Sequence, residues 1–207
     1  GDGATHAGIF DVSFLRCIPN MIIMSPSDEN ECWKMLSTGY NYSGPAAIRY
    51  PRGEGPGTEI LENFDLLEVG KARVINETLS DLVILSFGNM LDLSMEIADQ
   101  INCSLVDMRF IKPLDEELIE KCAKKYKHII TIEENVITGG AGSAVNEYLT
   151  KIGYSEKLKI FGIPDEFPIV GTQEDQRDAA GLTKDKILES LASELDLKDL
   201  EKKVSAQ

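Results

Sequence analysis

The sequence has few of the residues and segments that are typical of zinc-binding proteins and of integral membrane proteins. Its 207 residues include two histidines and four cysteines, and no two cysteines form a CxxC pair. Because zinc sites are built from clustered cysteine and histidine, the sequence gives no support for one. Also missing is an apolar run near the roughly 18 residues that a membrane-spanning helix needs, which excludes an integral membrane protein.

Basic residues are also in the minority. The sequence contains 21 Lys and Arg and 35 Asp and Glu, which gives a formal net charge of −14. A surface of this sign repels phosphate backbones, so the composition argues against general binding of nucleic acid. A small phosphorylated substrate is still compatible with it, since a local pair of arginines can act against the overall field.

The sequence lacks a methionine at its start and any secretory signal. It opens on Gly1-Asp2-Gly3, a run typical of the inside of a loop, so we expect a fragment of a longer chain. No basic stretch followed by an apolar stretch occurs near the start. Together with the cysteine pattern, this predicts a cytoplasmic location, and a plastid location stays open.

Strand-like and helix-like segments alternate along most of the chain. Asp81–Phe87 and Ser104–Met108 are typical of buried strands, and Leu91–Ile101 between them has helical spacing. This alternation predicts an α/β fold with a mostly parallel sheet covered by helices on both faces. Ahead of it, Ser27 is expected to cap a helix whose first turn contains the acidic residues Asp28, Glu29 and Glu31.

A cluster of glycine and proline divides the chain. Gly53, Gly55, Pro56 and Gly57 are followed by acidic residues, a composition typical of a linker. The sequence therefore predicts four segments: the end of one domain at 1–55, a linker at 56–65, a second domain at 66–195 and a charged tail at 196–207.

The opening residues are similar to the start of a metal–diphosphate motif that begins Gly-Asp-Gly and ends in Asn-Asn in thiamine-dependent enzymes. At the corresponding distance the sequence reads Ser27-Asp28-Glu29-Asn30, without an Asn-Asn pair. Asp2 would lack its partner ligands, so we expect no magnesium site here.

Candidate site residues lie in the first 55 residues. His6 follows a glycine-containing turn, where it is either a solvated loop residue or a group that moves a proton or hydrogen-bonds a substrate carbonyl. Arg49 and Arg52 lie at the carboxyl end of a predicted strand, residues 46–50, at the edge where open α/β sheets bind ligands. We expect one of these arginines to bind a phosphate or carboxylate and the other to form a structural ion pair.

A glycine-rich segment at 139–143 opens a predicted helix after the strand that His128 begins. A helix start of this kind can bind an anion. The spacing is not GxGxxG, so the sequence favours close packing of the loop instead. For His128 we expect a structural role.

Several motifs, taken together, resemble one enzyme family. They are DGATHAGIFDVSFLRCIP at 2–19, MSPSDENE at 24–31, IRYPRG at 48–53, LVDMRFIKPLD at 105–115, EENVITGGAGS at 133–143, GIPD at 162–165 and GTQE at 171–174. In this order, over about residues 1–195, they resemble the 1-deoxy-D-xylulose-5-phosphate synthase family, whose architecture is similar to that of transketolases.

The resemblance implies the end of a pyrimidine-binding, transketolase-type domain followed by a transketolase C-terminal domain. Members of the family condense pyruvate with D-glyceraldehyde 3-phosphate to 1-deoxy-D-xylulose 5-phosphate and carbon dioxide, for isoprenoid, thiamine and pyridoxal biosynthesis. The resemblance also implies a homodimer that uses thiamine diphosphate and magnesium. Because the family binds this cofactor mainly through regions that precede the present sequence, we expect no cofactor-binding residue in it and no activity of the fragment alone.

The resemblance also implies three residues at the substrate. His6 would be catalytic, hydrogen-bonding the bound intermediate or moving a proton as the new bond forms. Asp2 would position the aldehyde substrate, and Arg52, in preference to Arg49, would bind the phosphate of glyceraldehyde 3-phosphate. The segment 66–195 would be mainly structural.

Two other functions remain open at this point. The β-chains of 2-oxoacid dehydrogenases share the architecture and would require a lipoyl-carrying partner. A non-catalytic docking domain, built on the residues from 66 onward, is the other alternative. The segments Arg49–Gly53 and Ser27–Glu31 favour the synthase.

Overall fold

Two β-sheets and seven α-helices account for most of the residues described by the computed structural model, which are 3–62 and 65–194. The strands are β1 Ile22–Met24, β2 Ala46–Ile48, β3 Arg73–Asn76, β4 Leu82–Ser86, β5 Ser104–Asp107, β6 Phe110–Lys112, β7 His128–Val136 and β8 Lys157–Ile163. The helices are α1 Asp11–Leu15, α2 Glu29–Asn41, α3 Leu91–Ile101, α4 Glu116–Lys125, α5 Ala141–Lys151, α6 Gln173–Ala179 and α7 Lys184–Glu194. Short 3-10 helices lie at Ala4–His6 and Gly88–Met90.

The larger sheet has five strands in the order β3-β5-β4-β7-β8. Its pairs β4–β5, β4–β7 and β7–β8 are parallel, and only the edge strand β3 pairs antiparallel. All five residues of β4 are buried, as expected for a strand covered on both faces. The predicted α/β fold with a mostly parallel sheet is confirmed.

Helices cover both faces of this sheet. On one face α3 and α7 pack Ile97, Ile187 and Leu191 against strand residues such as Ile84. On the other face α4 and α5 pack Ile119, Cys122, Val145 and Leu149 against Val83, Leu85 and Ile129. Each face buries a continuous apolar cluster, and burial of this kind is the main favourable contribution to folding.

The smaller sheet has the order β2-β1-β6 and combines residues from both sides of the linker. β1 pairs parallel with β2, whereas β6, from beyond the linker, pairs antiparallel with β1. Phe110 of β6 is fully buried against Ile22 and Met24 of β1 and Met35 of α2. The regions before and after the linker therefore share one sheet and one apolar cluster.

A second contact between these regions is a group of one serine and four charged residues that we call the inner cluster: Ser27, Glu31, Arg73, Asp107 and Arg109. Arg109 Nε lies 2.7 Å from a Glu31 carboxylate oxygen, and Arg73 Nη2 lies 2.9 Å from a carboxylate oxygen of Asp107. The side chains of Glu31 and Asp107 are each 1% exposed. Buried carboxylates need such partners, because an isolated charge is costly to remove from water.

The predicted cap of α2 is wrong. Asp28, not Ser27, caps this helix, and its carboxylate accepts a hydrogen bond of 2.8 Å from the backbone N–H of Glu31. The Ser27 hydroxyl instead donates to Asp107 at 3.0 Å. A partner 80 residues away thus engages Ser27, and the neighbouring aspartate takes over the cap.

The structure leaves the predicted domain bounds and the charged tail untested. No helix within residues 3–62 and 65–194 is long and apolar enough to cross a membrane. The predicted tail 196–207 lies outside the described residues. The division at 55, 65 and 195 stays a prediction.

Candidate active site

A cavity of about 620 Å³ lies where residues from both sides of the linker meet. Its wall includes Arg49 and Arg52, which follow β2, and Pro164, which follows β8. Gln173 and Arg177 of α6 also line it. The carboxyl ends of parallel strands are the usual place for ligands in an α/β fold, so this cavity is the candidate active site.

The structure brings together two of the three predicted site residues. His6 and Arg52, separated by 45 intervening residues, both line the cavity. Asp2, the third, lies outside the described residues. The region after the linker, expected to be mainly structural, also supplies Ile163–Pro164, Glu166–Ile169 and most of α6 to the wall.

His6 ends the 3-10 helix Ala4–His6 and has an exposed side chain. Gly3 precedes this helix with a φ of 78°, a conformation that favours glycine, and its carbonyl accepts the N–H of His6 at 3.1 Å. The Thr5 hydroxyl lies 3.0 Å from Nδ1 of the imidazole. This contact restrains the ring at the cavity wall, where an imidazole can exchange a proton or hydrogen-bond a substrate oxygen.

Arg49 forms the structural contacts that were expected of one arginine of the pair. Its Nη2 donates to the carbonyl oxygens of Gly8 at 2.8 Å and Glu134 at 2.6 Å. Its Nε lies 3.6 Å from Asp11 Oδ2. Arg49 therefore holds the segment around His6 against β7.

Arg52 lies in the loop after β2 and has an exposed side chain. Its backbone carbonyl accepts a hydrogen bond of 2.6 Å from Nε2 of Gln173, at the start of α6. The backbone that carries Arg52 is thus tied to the region beyond the linker.

Glu134 is the centre of a group that we call the cavity cluster: Arg49, Asn89, Glu134 and Arg177. The Glu134 carboxylate accepts hydrogen bonds of 2.6 Å from both Arg177 Nε and Asn89 Nδ2. Arg49 Nη1 lies 3.8 Å from an oxygen of the same carboxylate. Sequence reasoning missed this cluster, because its only local signal is a pair of glutamates in β7.

The neighbouring Glu133 binds the start of α5 and takes no part in the cavity cluster. Its carboxylate accepts hydrogen bonds of 2.7 Å from the backbone N–H groups of both Ala141 and Gly142, at the start of α5. Burial raises the pKa of Glu133 to about 7, against the opposing effect of these two hydrogen bonds. A Cβ on Gly140 would lie 2.5 Å from a Glu133 oxygen, so the prediction of close packing for the glycine-rich segment is confirmed.

Two sequence models of known families match the chain. The model described as "Transketolase, pyrimidine binding domain" matches residues 1–58, and "Transketolase, C-terminal domain" matches residues 70–187. The second alone covers more than half of the chain. The chain belongs to the transketolase family.

Curated relatives show which members of the transketolase family the chain is similar to. The chain is 49% identical over 194 residues to a 1-deoxy-D-xylulose-5-phosphate synthase of Vibrio parahaemolyticus, covering 94% of the chain and 31% of that relative. It is 50% identical over 188 residues to the synthase of Psychromonas ingrahamii, covering 88% of the chain and 30% of the relative. The resemblance seen in the motifs is confirmed, and the chain spans about a third of the length of these relatives.

Solved structures agree on the transketolase fold. A structure titled "Split gene transketolase, inactive beta4 tetramer" is 28% identical with a TM-score of 0.82, covering 95% of this chain and 65% of that one. The transketolase of Campylobacter jejuni is 21% identical with a TM-score of 0.66, covering 93% of this chain and 29% of that one. The predicted pairing of a pyrimidine-binding domain end with a transketolase C-terminal domain is confirmed.

Proposed function

We propose that this chain is part of a 1-deoxy-D-xylulose-5-phosphate synthase. The complete enzyme would condense pyruvate with D-glyceraldehyde 3-phosphate, with loss of carbon dioxide, for isoprenoid, thiamine and pyridoxal biosynthesis. The observation that carries the proposal is the single cavity lined by both His6 and Arg52. The names of the curated relatives support it.

In this proposal the two residues act at different parts of the aldehyde substrate. Arg52 binds the phosphate, because a guanidinium can donate two parallel hydrogen bonds to phosphate oxygens. His6 hydrogen-bonds the aldehyde oxygen or moves a proton to it as the carbon–carbon bond forms. Asp2 would position the aldehyde substrate, as the resemblance of residues 2–6 to the synthase family implies.

The cofactor of such an enzyme would be thiamine diphosphate with magnesium, which supplies the carbanion chemistry. Within residues 3–62 and 65–194, no group of three or more His, Cys, Asp or Glu side chains is placed to hold a metal ion. The roles that this proposal gives to described residues are those of His6 and Arg52, which both line the cavity. Their chemistry in this proposal is limited to the substrate.

We further propose that the complete enzyme is a cytoplasmic homodimer. The four cysteines are unpaired, which suits a reducing compartment. Trp33, Leu36 and Tyr40 of α2 expose large apolar side chains at helical spacing, which suits a surface covered by another part of an assembly.

The first test replaces His6 in the complete polypeptide. We expect His6→Ala to lower kcat by roughly 10²- to 10⁴-fold, the usual contribution of a positioned proton-transfer group. His128→Ala is the matched control, because His128 lies outside the cavity, at the start of β7. Turnover of pyruvate and glyceraldehyde 3-phosphate is the measurement, and equal kcat values for both variants would exclude the catalytic role.

The second test replaces Arg52. We expect Arg52→Ala to raise KM for glyceraldehyde 3-phosphate by roughly 10- to 100-fold, since hydrogen bonds to charged groups contribute this much. KM for pyruvate is the internal control and should stay close to its original value. An enzyme that consumes pyruvate without glyceraldehyde 3-phosphate would instead favour the β-chain of a 2-oxoacid dehydrogenase.

A further inference from the structure

The contact between Gln173 and Arg52 joins residues 121 positions apart in the sequence. Arg52 is followed by Gly53, whose φ of 132° is a backbone conformation that favours glycine. Further along, Gly57 and Thr58 donate to the Glu29 carboxylate at 2.8 and 3.2 Å. The Gln173 side chain therefore restrains this loop at the residue that carries the guanidinium.

Gln173 itself is held by a well-anchored helix. Thr172 and Asp175 form a reciprocal capping box at the start of α6, in which the Thr172 hydroxyl accepts the Asp175 N–H at 3.1 Å. One turn after Gln173, Arg177 donates to Glu134 of β7 at 2.6 Å. The capping box defines the start of α6 and the Arg177–Glu134 contact ties the helix to β7, so Gln173 meets the Arg52 carbonyl from a helix held at the sheet.

We propose that Gln173 is a positioning residue for Arg52, through which the C-terminal region controls affinity for the phosphorylated substrate. The inference rests on the proposed function, in which Arg52 binds the phosphate. Two parallel hydrogen bonds to phosphate require the guanidinium at a defined place and angle. Gln173 supplies this by holding the backbone of Arg52, and it acts on substrate affinity through that arginine.

The experiment uses the complete polypeptide with Gln173→Met, which keeps the side-chain length and removes the donor. We expect KM for glyceraldehyde 3-phosphate to rise roughly three- to tenfold, the effect of losing one hydrogen bond to a neutral acceptor. KM for pyruvate and kcat should stay within about twofold. Glu174→Ala is the matched control on the same helix, since Glu174 is exposed and does not line the cavity.

A second arm repeats Gln173→Met in the Arg52→Ala background. There the substitution should leave KM for glyceraldehyde 3-phosphate unchanged, because no guanidinium remains to be positioned. If Gln173→Met has no effect alone, changes KM for both substrates equally, or keeps its full effect without Arg52, the positioning role is wrong. If Arg52→Ala itself leaves KM for glyceraldehyde 3-phosphate unchanged, the phosphate assignment of the proposed function has failed instead.

Discussion

The inner cluster and the cavity cluster both join the regions on either side of the linker, but they differ in their surroundings. In the inner cluster the Glu31 and Asp107 side chains are each 1% exposed. In the cavity cluster the Glu134 side chain is 12% exposed, whereas Arg177 there and Arg73 in the inner cluster are similarly exposed, at 32% and 34%. Removing a charge from water is costly unless every partner is present, so the inner cluster stabilises the protein only as a complete set. Water or a ligand can replace a partner in the cavity cluster.

The strongest way to break the inner cluster is Glu31→Ala. This change leaves Arg109, which is 16% exposed, without the carboxylate 2.7 Å away, and Arg73 loses a second charge. We expect the free energy of unfolding to fall by about 3–5 kcal/mol, as for other broken buried ion pairs. Urea unfolding measures it, with Glu77→Ala, in an exposed pair with Lys125, as the control. A loss no greater than that of the control would show that the inner cluster does not stabilise the protein.

Glu133→Gln adds a third case to this comparison. Glu133 is a buried carboxylate that forms no direct ion pair with the described residues. An amide oxygen accepts one of the N–H groups of Ala141 and Gly142, while the amide NH2 faces the other. At pH 5 we expect a loss of about 1–3 kcal/mol in the free energy of unfolding. Unfolding curves of both proteins from pH 4.5 to 8 provide the measurement.

The pH dependence of this loss follows from the pKa of Glu133. Its value of about 7 in the folded protein lies above the ordinary 4.5, so its contribution to stability is complete below pH 4.5 and is lost as the pH rises through 7. Glutamine does not titrate. The difference between the two proteins should therefore shrink from pH 4.5 to above 7, and a difference that grows over this range would contradict the raised pKa.

Glu134→Ala should have the smallest effect on stability of the three. Arg177 and Asn89 lose their acceptor, but the guanidinium of Arg177 can reach water in the cavity. We expect a loss of about 1–2 kcal/mol in the free energy of unfolding. Measured beside Glu31→Ala under the same conditions, an equal or larger loss would mean that the two clusters do not differ as described.

Local sequence patterns predicted much of the larger sheet. The segment Leu91–Ile101 is a helix with these bounds, and α4 and α7 also have apolar faces at helical spacing. Such patterns can be recognised in a sequence because a helix that buries one face must repeat its apolar residues at a fixed spacing. Ser27 was misassigned because its partner, Asp107, is remote in sequence.

Less of the candidate site could be predicted from the sequence. Periodicity places Arg52 after a strand, but only the resemblance linked it to His6, since no local pattern reports a shared cavity. Glu134 and Gln173 lie within motifs at 133–143 and 171–174, but no local pattern gave either residue a role, because their contacts, with Arg177 and with the Arg52 carbonyl, depend on how remote segments pack. The three-residue strand β6 is too short to show a period, and its partner β1 lies before the linker.

The position of β6 has a consequence for cleavage of the chain. Phe110–Lys112 completes a sheet begun by residues on the other side of the linker, and Phe110 is fully buried there. A protease that cuts the exposed segment around Gly53–Gly57 would sever the covalent connection and leave this strand pairing in place. The two pieces would then behave as a nicked but still associated complex, which elutes as one species until a denaturant separates them.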